Sequence, residues 1–237
     1  VLGLPLRHPA AIAQTLATLD VLSGGNLIIG VGEGSTESDF LALGIPFQER
    51  RKMLEDGVPA LRALLSGENV SHHGPYYDFD NVTVAPRGLQ QPCVPIWLSS
   101  WGSPAGMRRV ARLGDGWVSS GWHSTPEEFN EALNNLDTAL KNRGKDPGSF
   151  PNAVNTIFMY IDEDGDQARS VAVPIIEQTI RAKFETEGGH FLVGSYQECQ
   201  DLLRRWMAAG AKEICLWPVT DAVTQVQRFG QFLLPGL

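Results

Sequence analysis

The stretch Asn26-Leu27-Ile28-Ile29-Gly30-Val31-Gly32-Glu33-Gly34-Ser35 constrains the fold of this chain more than any other. Branched apolar runs of this kind bury well on both faces of a parallel sheet. This one ends in alternating glycines, which mark either a tight strand-to-helix turn or a place where backbone and ligand meet closely. Its Gly-x-Gly-x-Gly spacing is not the Gly-x-Gly-x-x-Gly dinucleotide fingerprint. Upstream, Pro9 suits a first helical position, Ile12, Leu16, Leu19, Val21 and Leu22 recur near helical spacing, and Gly24-Gly25 stops the helix. Residues 1–6 read as the tail of a strand. Strand, helix and strand then follow within about 30 residues, the length of a parallel crossover.

The alternation continues down the chain. A short helix is expected over 37–43 and a longer one over 48–65, with a kink or break where Gly57 and Pro59 interrupt it. Residues 70–84 lack helical period and read, up to Pro92, as a hairpin or irregular insertion. Further strands are expected at 95–100, 117–120, 154–161 and 214–217. Helices start at Pro104, at the capping box Thr125-Pro126-Glu127-Glu128, near Gln167, at a second capping box formed by Ser195 and Glu198, and at Thr224. The helix from Gln167 is expected to reach Phe184, interrupted near Pro174. Strands separated by helices require a parallel sheet, either open and doubly wound or closed into a barrel of eight strands and about 250 residues. The chain has 237 residues and begins at Val1 in mid-pattern. The residues alone leave that choice open; if closed, the fold would be an α/β TIM (β/α)8 barrel, incomplete here, with six of its eight strands and the first only in part. One domain would span 1–237, without the first two strands and most of the third, and with an insertion near 70–92.

Composition narrows the partners. A formal net charge of −8 argues against nucleic acid and anionic membrane surfaces, though not against a small local anion site. No apolar run approaches the roughly 20 residues of a membrane span. Cys93, Cys199 and Cys215 are far apart and match no zinc spacing. Such sparse cysteines suggest reduced thiols and a cytoplasmic setting, with Cys215 expected to be buried in a strand. The histidines are His8, His72, His73, His123 and His190. None has helical metal-ligand spacing, and neighbours in a strand such as His72 and His73 point to opposite faces, so no metal site is expected. No Gly-x-Ser-x-Gly elbow is present.

Parallel β/α folds carry their sites at the carboxyl ends of the strands. Here those ends are 3–5, 32–35, 99–103, 119–123 and 218–221. Two of them, around Ser99-Ser100 and Ser119-Ser120, are rich in serine and glycine and run on to helices at Pro104 and Pro126. Hydroxyls and free backbone N–H groups at a helix start can hold an anion without net positive charge, and a phosphate is the ligand this suggests. The competing reading makes Ser103 and Thr125 plain helix caps. Glu33 either acts on a ligand or bonds nearby backbone N–H groups.

At this point an ordered set of segments resembles the bacterial-luciferase-like flavin-dependent oxidoreductases. It comprises Leu4-Pro5-Leu6-Arg7-His8-Pro9, Ala17-Thr18-Leu19-Asp20-Val21-Leu22-Ser23-Gly24-Gly25, Gly30-Val31-Gly32, Asp39-Phe40-Leu41-Ala42-Leu43-Gly44-Ile45-Pro46-Phe47, Pro95-Ile96-Trp97-Leu98, Ala111-Arg112-Leu113-Gly114-Asp115-Gly116-Trp117 and Val193-Gly194-Ser195. The resemblance covers nearly the whole chain. It implies an eight-stranded β/α barrel that binds FMN or the deazaflavin coenzyme F420 at its carboxyl face.

Under the resemblance, the ring side of the cofactor maps to Gly3, Gly32, Glu33, Gly34 and Ser35. The phosphate side maps to Ser99, Ser100, Trp101, Gly102, Ser103, Val118, Ser119, Ser120 and Gly121. With FMN and O2 the implied reaction is monooxygenation of a small organic substrate; with F420 it is hydride transfer without oxygen. A homodimer is implied. Some F420-dependent sugar-phosphate dehydrogenases of the family have a catalytic glutamate where this chain has Ser35, so that activity is not carried over, and no catalytic residue is assigned. A non-catalytic flavin-binding or dimerising module is the competing reading from another class. A phosphosugar isomerase or aldolase would need a lysine or carboxylate pair at the strand ends, and no lysine lies there.

Overall fold

A computed structural model of the chain describes residues 1–180, 184 and 191–237. It divides into two compact units, one formed by 1–100 and 108–117, the other by 101–107 and 118–237.

The first unit runs through β1 (Leu2–Gly3), α1 (Pro9–Leu22), β2 (Ile29–Gly32), α2 (Glu37–Ala42), α3 (Arg50–Ser66), β3 (Val70–His73), β4 (Asp78–Val82) and β5 (Ile96–Ser99). β1, β2 and β5 are parallel neighbours in that order, with Gly3 beside Gly32 and Val31 beside both Leu2 and Leu98. Val31, Ile96 and Leu98 are almost wholly buried, as the branched run requires. β3 and β4 form the expected antiparallel hairpin, with His72 opposite Phe79 and His73 opposite Asp78. The two histidines diverge: His72 Nε2 lies 2.9 Å from Asp56 in α3, and His73 Nδ1 lies 2.7 Å from Asp78. Asp56 also accepts from the backbone N–H groups of Tyr76 and Tyr77, at 2.9 and 3.0 Å, and so pins the hairpin to the helix.

α4 (Pro104–Leu113) and β6 (Gly116–Ser120) are shared between the units. The second unit then runs through α5 (Pro126–Lys141), β7 (Asn152–Asp162), α6 (Gly165–Ile180), β8 (Leu192–Ser195), α7 (Tyr196–Ala208), β9 (Glu213–Pro218) and α8 (Ala222–Arg228). β7 is parallel to β9 along Ala153 to Met159 and parallel to β8 along Met159 to Asp162. Both capping boxes form as expected, Thr125 with Glu128 and Ser195 with Glu198. The parallel strands joined through helices give the expected α/β class.

Four expectations are corrected. α3 is continuous through Pro59, because Leu54, Val58, Ala60, Leu61, Leu64 and Leu65 are buried on both sides of that proline, which faces out. Burial of several such side chains, each contributing about 1.5–3 kcal/mol, outweighs the roughly 3 kcal/mol cost of one helical proline. α6 likewise runs uninterrupted through Pro174 to Ile180, with Ala172 and Ile176 in a cluster around Phe158; 181–183, its expected continuation, fall outside the described residues, as does His190. β8 is a strand that the residue pattern did not suggest. Cys215 is exposed, because alternate β9 residues Glu213, Cys215 and Trp217 face outward.

Among the described residues no helix is long and apolar enough to cross a membrane, and no group of three His, Cys, Asp or Glu residues could hold a metal ion.

Candidate functional site

Within the first unit, the carboxyl ends of three parallel strands lie together. A Cβ added at Gly32 would stand 3.3 Å from Ser99 Cβ, and one at Gly3 would stand 3.9 Å from Gly34 Cα. A Cβ at Gly3 would also meet Leu6 at 3.2 Å and one at Gly32 would meet Val1 at 3.3 Å, so backbone and side chains pack closely at these strand ends beside Ser99. Gly34 also has a local reason to be glycine: its φ is +80°, and a Cβ would press on the Phe40 ring at 2.9 Å. Ser35 is exposed. Ser100 is fixed by its backbone, since its carbonyl accepts from the buried Trp117 indole N–H at 3.0 Å. Among the described residues no backbone N–H donates to the Glu33 carboxylate. Arg51 Nε donates to both of its oxygens, at 3.3 and 3.1 Å, and Arg50 stands beside it. Neither arginine was singled out by the strand-end reading, which looks only at residues contiguous with a strand. One signal was legible: two arginines open a helix, where the dipole disfavours cations.

The second unit places the remaining candidates. Ser103 is a helix cap, accepting from the Gly106 N–H at 3.2 Å. Gly102 has a φ of +95°, and a Cβ there would sit 2.8 Å from Ala132. Gly121 is explained by packing: a Cβ would lie 2.5 Å from the Ile157 side chain, and its N–H donates to the Asn155 carbonyl at 2.7 Å. Val118 is buried. Ser119 differs from all of these. It is 2% exposed, and its hydroxyl has no hydrogen-bond partner among the described residues. Such a group costs about 1–3 kcal/mol unless something outside the chain satisfies it.

Ser120 faces His123, its Oγ 3.0 Å from Nδ1. The His123 ring stacks on Trp101, centroids 4.1 Å apart and planes 12° apart, with Trp122 tilted at 4.8 Å. Burial holds this imidazole below its ordinary pKa. Trp101 and His123 open on a cavity of about 210 Å³ whose wall includes Ser124, Glu128, Glu131 and Asn135. Those two carboxylates disfavour a phosphate on that side of Trp101. The aromatic stack escaped the sequence reading because its members lie on different loops, 22 positions apart.

The model of the luciferase-like monooxygenase family matches residues 1–213. The chain is 30% identical over 164 residues to the 5,10-methylenetetrahydromethanopterin reductase of Archaeoglobus fulgidus, covering 69% of this chain and 47% of that protein. It is 33% identical over 172 residues to the F420-dependent glucose-6-phosphate dehydrogenase of Kineococcus radiotolerans, covering 71% and 50%. The chain thus matches over about half the length of these curated relatives. Its structure is similar to the crystal structure of monooxygenase RslO1 from Streptomyces bottropensis, with a TM-score of 0.84 and 26% identity, covering 98% of this chain and 75% of that one.

Proposed function

The chain belongs to the luciferase-like monooxygenase family, and on that premise we propose that it is an oxidoreductase that binds FMN or coenzyme F420 and acts on a small organic substrate. The single observation that carries this reading is the convergence of Gly3, Gly32 and Gly34 with Ser99 at the carboxyl ends of β1, β2 and β5. The residues present fit the cofactor in one respect: within the first unit, glycine backbone of β1 and β2 and the Ser99 side chain lie together at the strand ends, where a ring and a hydroxyl contact would be needed.

The cofactor, when bound, supplies the redox chemistry. The chain's own residues bind and orient it. Gly3, Gly32 and Gly34 supply backbone contact, Ser99 supplies a hydroxyl donor, and the buried side chains of Val31 and Leu98 keep the strands beneath them dry. The leading reading is monooxygenation with reduced FMN and O2, supported by the family description and the likeness to RslO1. Hydride transfer with F420 is the second reading, favoured by the relative named for that coenzyme.

The test is titration of the purified protein with FMN and with F420, followed by absorbance and by quenching of cofactor fluorescence. Saturable binding of one of them is expected, weakened by Gly32→Val. Failure of both to bind, oxidised or reduced, ends the proposal.

A further inference from the structure

The cavity of about 210 Å³ beside Trp101 lies wholly within the second unit, and its wall is short of partners. Ser124 is 3% exposed and forms part of that wall, yet its hydroxyl makes no hydrogen bond among the described residues. A buried hydroxyl in that state costs stability unless something entering the cavity satisfies it. Glu131 and Asn135, about one turn apart on α5, line the same space. Neither side chain has a hydrogen bond or ion pair among the described residues. Glu128 gives one oxygen to its capping box, where it accepts from the Thr125 N–H at 2.8 Å. The wall contains no lysine or arginine. Nothing in the helix itself explains the charge on Glu131. It lies past the first turn of α5, beyond the reach of the dipole. It also follows Glu127 and Glu128 at the i+4 and i+3 spacings, where like charges destabilise a helix. Trp101, well exposed, and the His123 ring stacked on it add π surface to the same cavity.

We propose that this cavity binds the ammonium group of a small organic cation. Glu131 is the counter-ion, the Ser124 hydroxyl and the Asn135 amide oxygen accept ammonium N–H groups, and the Trp101 indole offers a cation–π contact. Other occupants fit less well. An anion meets two carboxylates and no cation. A quaternary ammonium satisfies Glu131 and Trp101 but has no N–H to give Ser124 or Asn135. A metal ion lacks a set of three acidic, imidazole or thiol ligands among the described residues. The site goes beyond the redox reading and does not rest on it, because it is measured without any cofactor.

The experiment is calorimetric titration of the protein with n-butylammonium, tetramethylammonium and butyrate at low, constant ionic strength. Wild type is expected to bind butylammonium saturably, tetramethylammonium more weakly, and butyrate not at all. Glu131→Gln should lose at least about tenfold in butylammonium affinity, the effect of one charged hydrogen bond. Its melting temperature should stay level or rise, because a like-charge neighbour has left the helix; binding loss and folding loss are thereby told apart. Ser124→Ala should weaken butylammonium about threefold or more and leave tetramethylammonium unchanged, which a merely structural role for the hydroxyl would not do. Trp101→Leu should weaken both cations by about two- to fivefold. Absence of saturable butylammonium binding by wild type, tetramethylammonium binding as tightly as butylammonium, or full affinity in Glu131→Gln overturns the proposal.

Discussion

Single residues in this chain are tuned by whether their polar atoms find partners. Ser119 has none among the described residues, so Ser119→Ala removes a buried hydroxyl without breaking a bond seen there. Urea unfolding should show unchanged stability or a gain of up to about 1 kcal/mol. Asp20 is the reverse case. It is wholly buried and accepts from the N–H groups of Leu89 and Gln90 and from the Gln90 side chain, at 2.7, 3.0 and 2.7 Å. Burial by itself pushes this carboxyl up, but the bonds from Gln90 and Leu89 outweigh it and hold the pKa below the ordinary value. A depressed folded-state pKa stabilises the protein above the unfolded value of about 4, and that contribution is lost as pH falls through the folded one. The stability gap between wild type and Asp20→Asn, followed by unfolding from pH 6 to pH 2, should therefore be constant above about pH 5 and close below the ordinary carboxylate range. Asp20→Ala should cost about 2–4 kcal/mol at neutral pH by stranding those donors.

At the scale of elements, caps and apolar periods outperformed breakers as guides. The capping boxes at Thr125 and Ser195 fall where the residues put them, because an N-cap is a local bargain between side chain and adjacent N–H groups. Pro59 and Pro174 misled, because tolerance of a helical proline depends on how much apolar surface the rest of the helix buries, which is a tertiary quantity. Pro59 is on the solvent side of α3. Pro59→Ala should therefore raise stability by about 1–3 kcal/mol, measured by thermal or urea unfolding, with the helix otherwise unchanged. Gly57 is different. A Cβ there would meet the Tyr77 ring at 3.1 Å and Leu4 at 3.2 Å, so its place in a helix reflects the hairpin packed on it. β8 was missed because four residues, Leu192–Ser195, are too few to show a period before the capping box begins.

Across the whole molecule, the choice between monooxygenation and hydride transfer is a question about oxygen. Under the leading reading, turnover with reduced FMN consumes O2 in step with substrate and stops under argon, as an oxygen electrode would record. Under the second, product forms anaerobically as F420 absorbance changes. Product formed with reduced FMN at an undiminished rate without oxygen would exclude the monooxygenase reading.

What the amino-acid order determined without help was the rhythm of this protein: apolar strands closed by glycine, helices opened by proline and capping boxes, and an ordered set of segments specific enough to point to one family. These are short-range properties, set by backbone sterics and by period. What only the tertiary structure decided was which buried polar groups find no partner among the described residues, the Ser119 hydroxyl and the Arg50 Nε–H, and which distant rings meet, as His123 does Trp101. Those depend on burial and on contacts between distant residues, and no spacing along a chain records whether a hydrogen bond has been made.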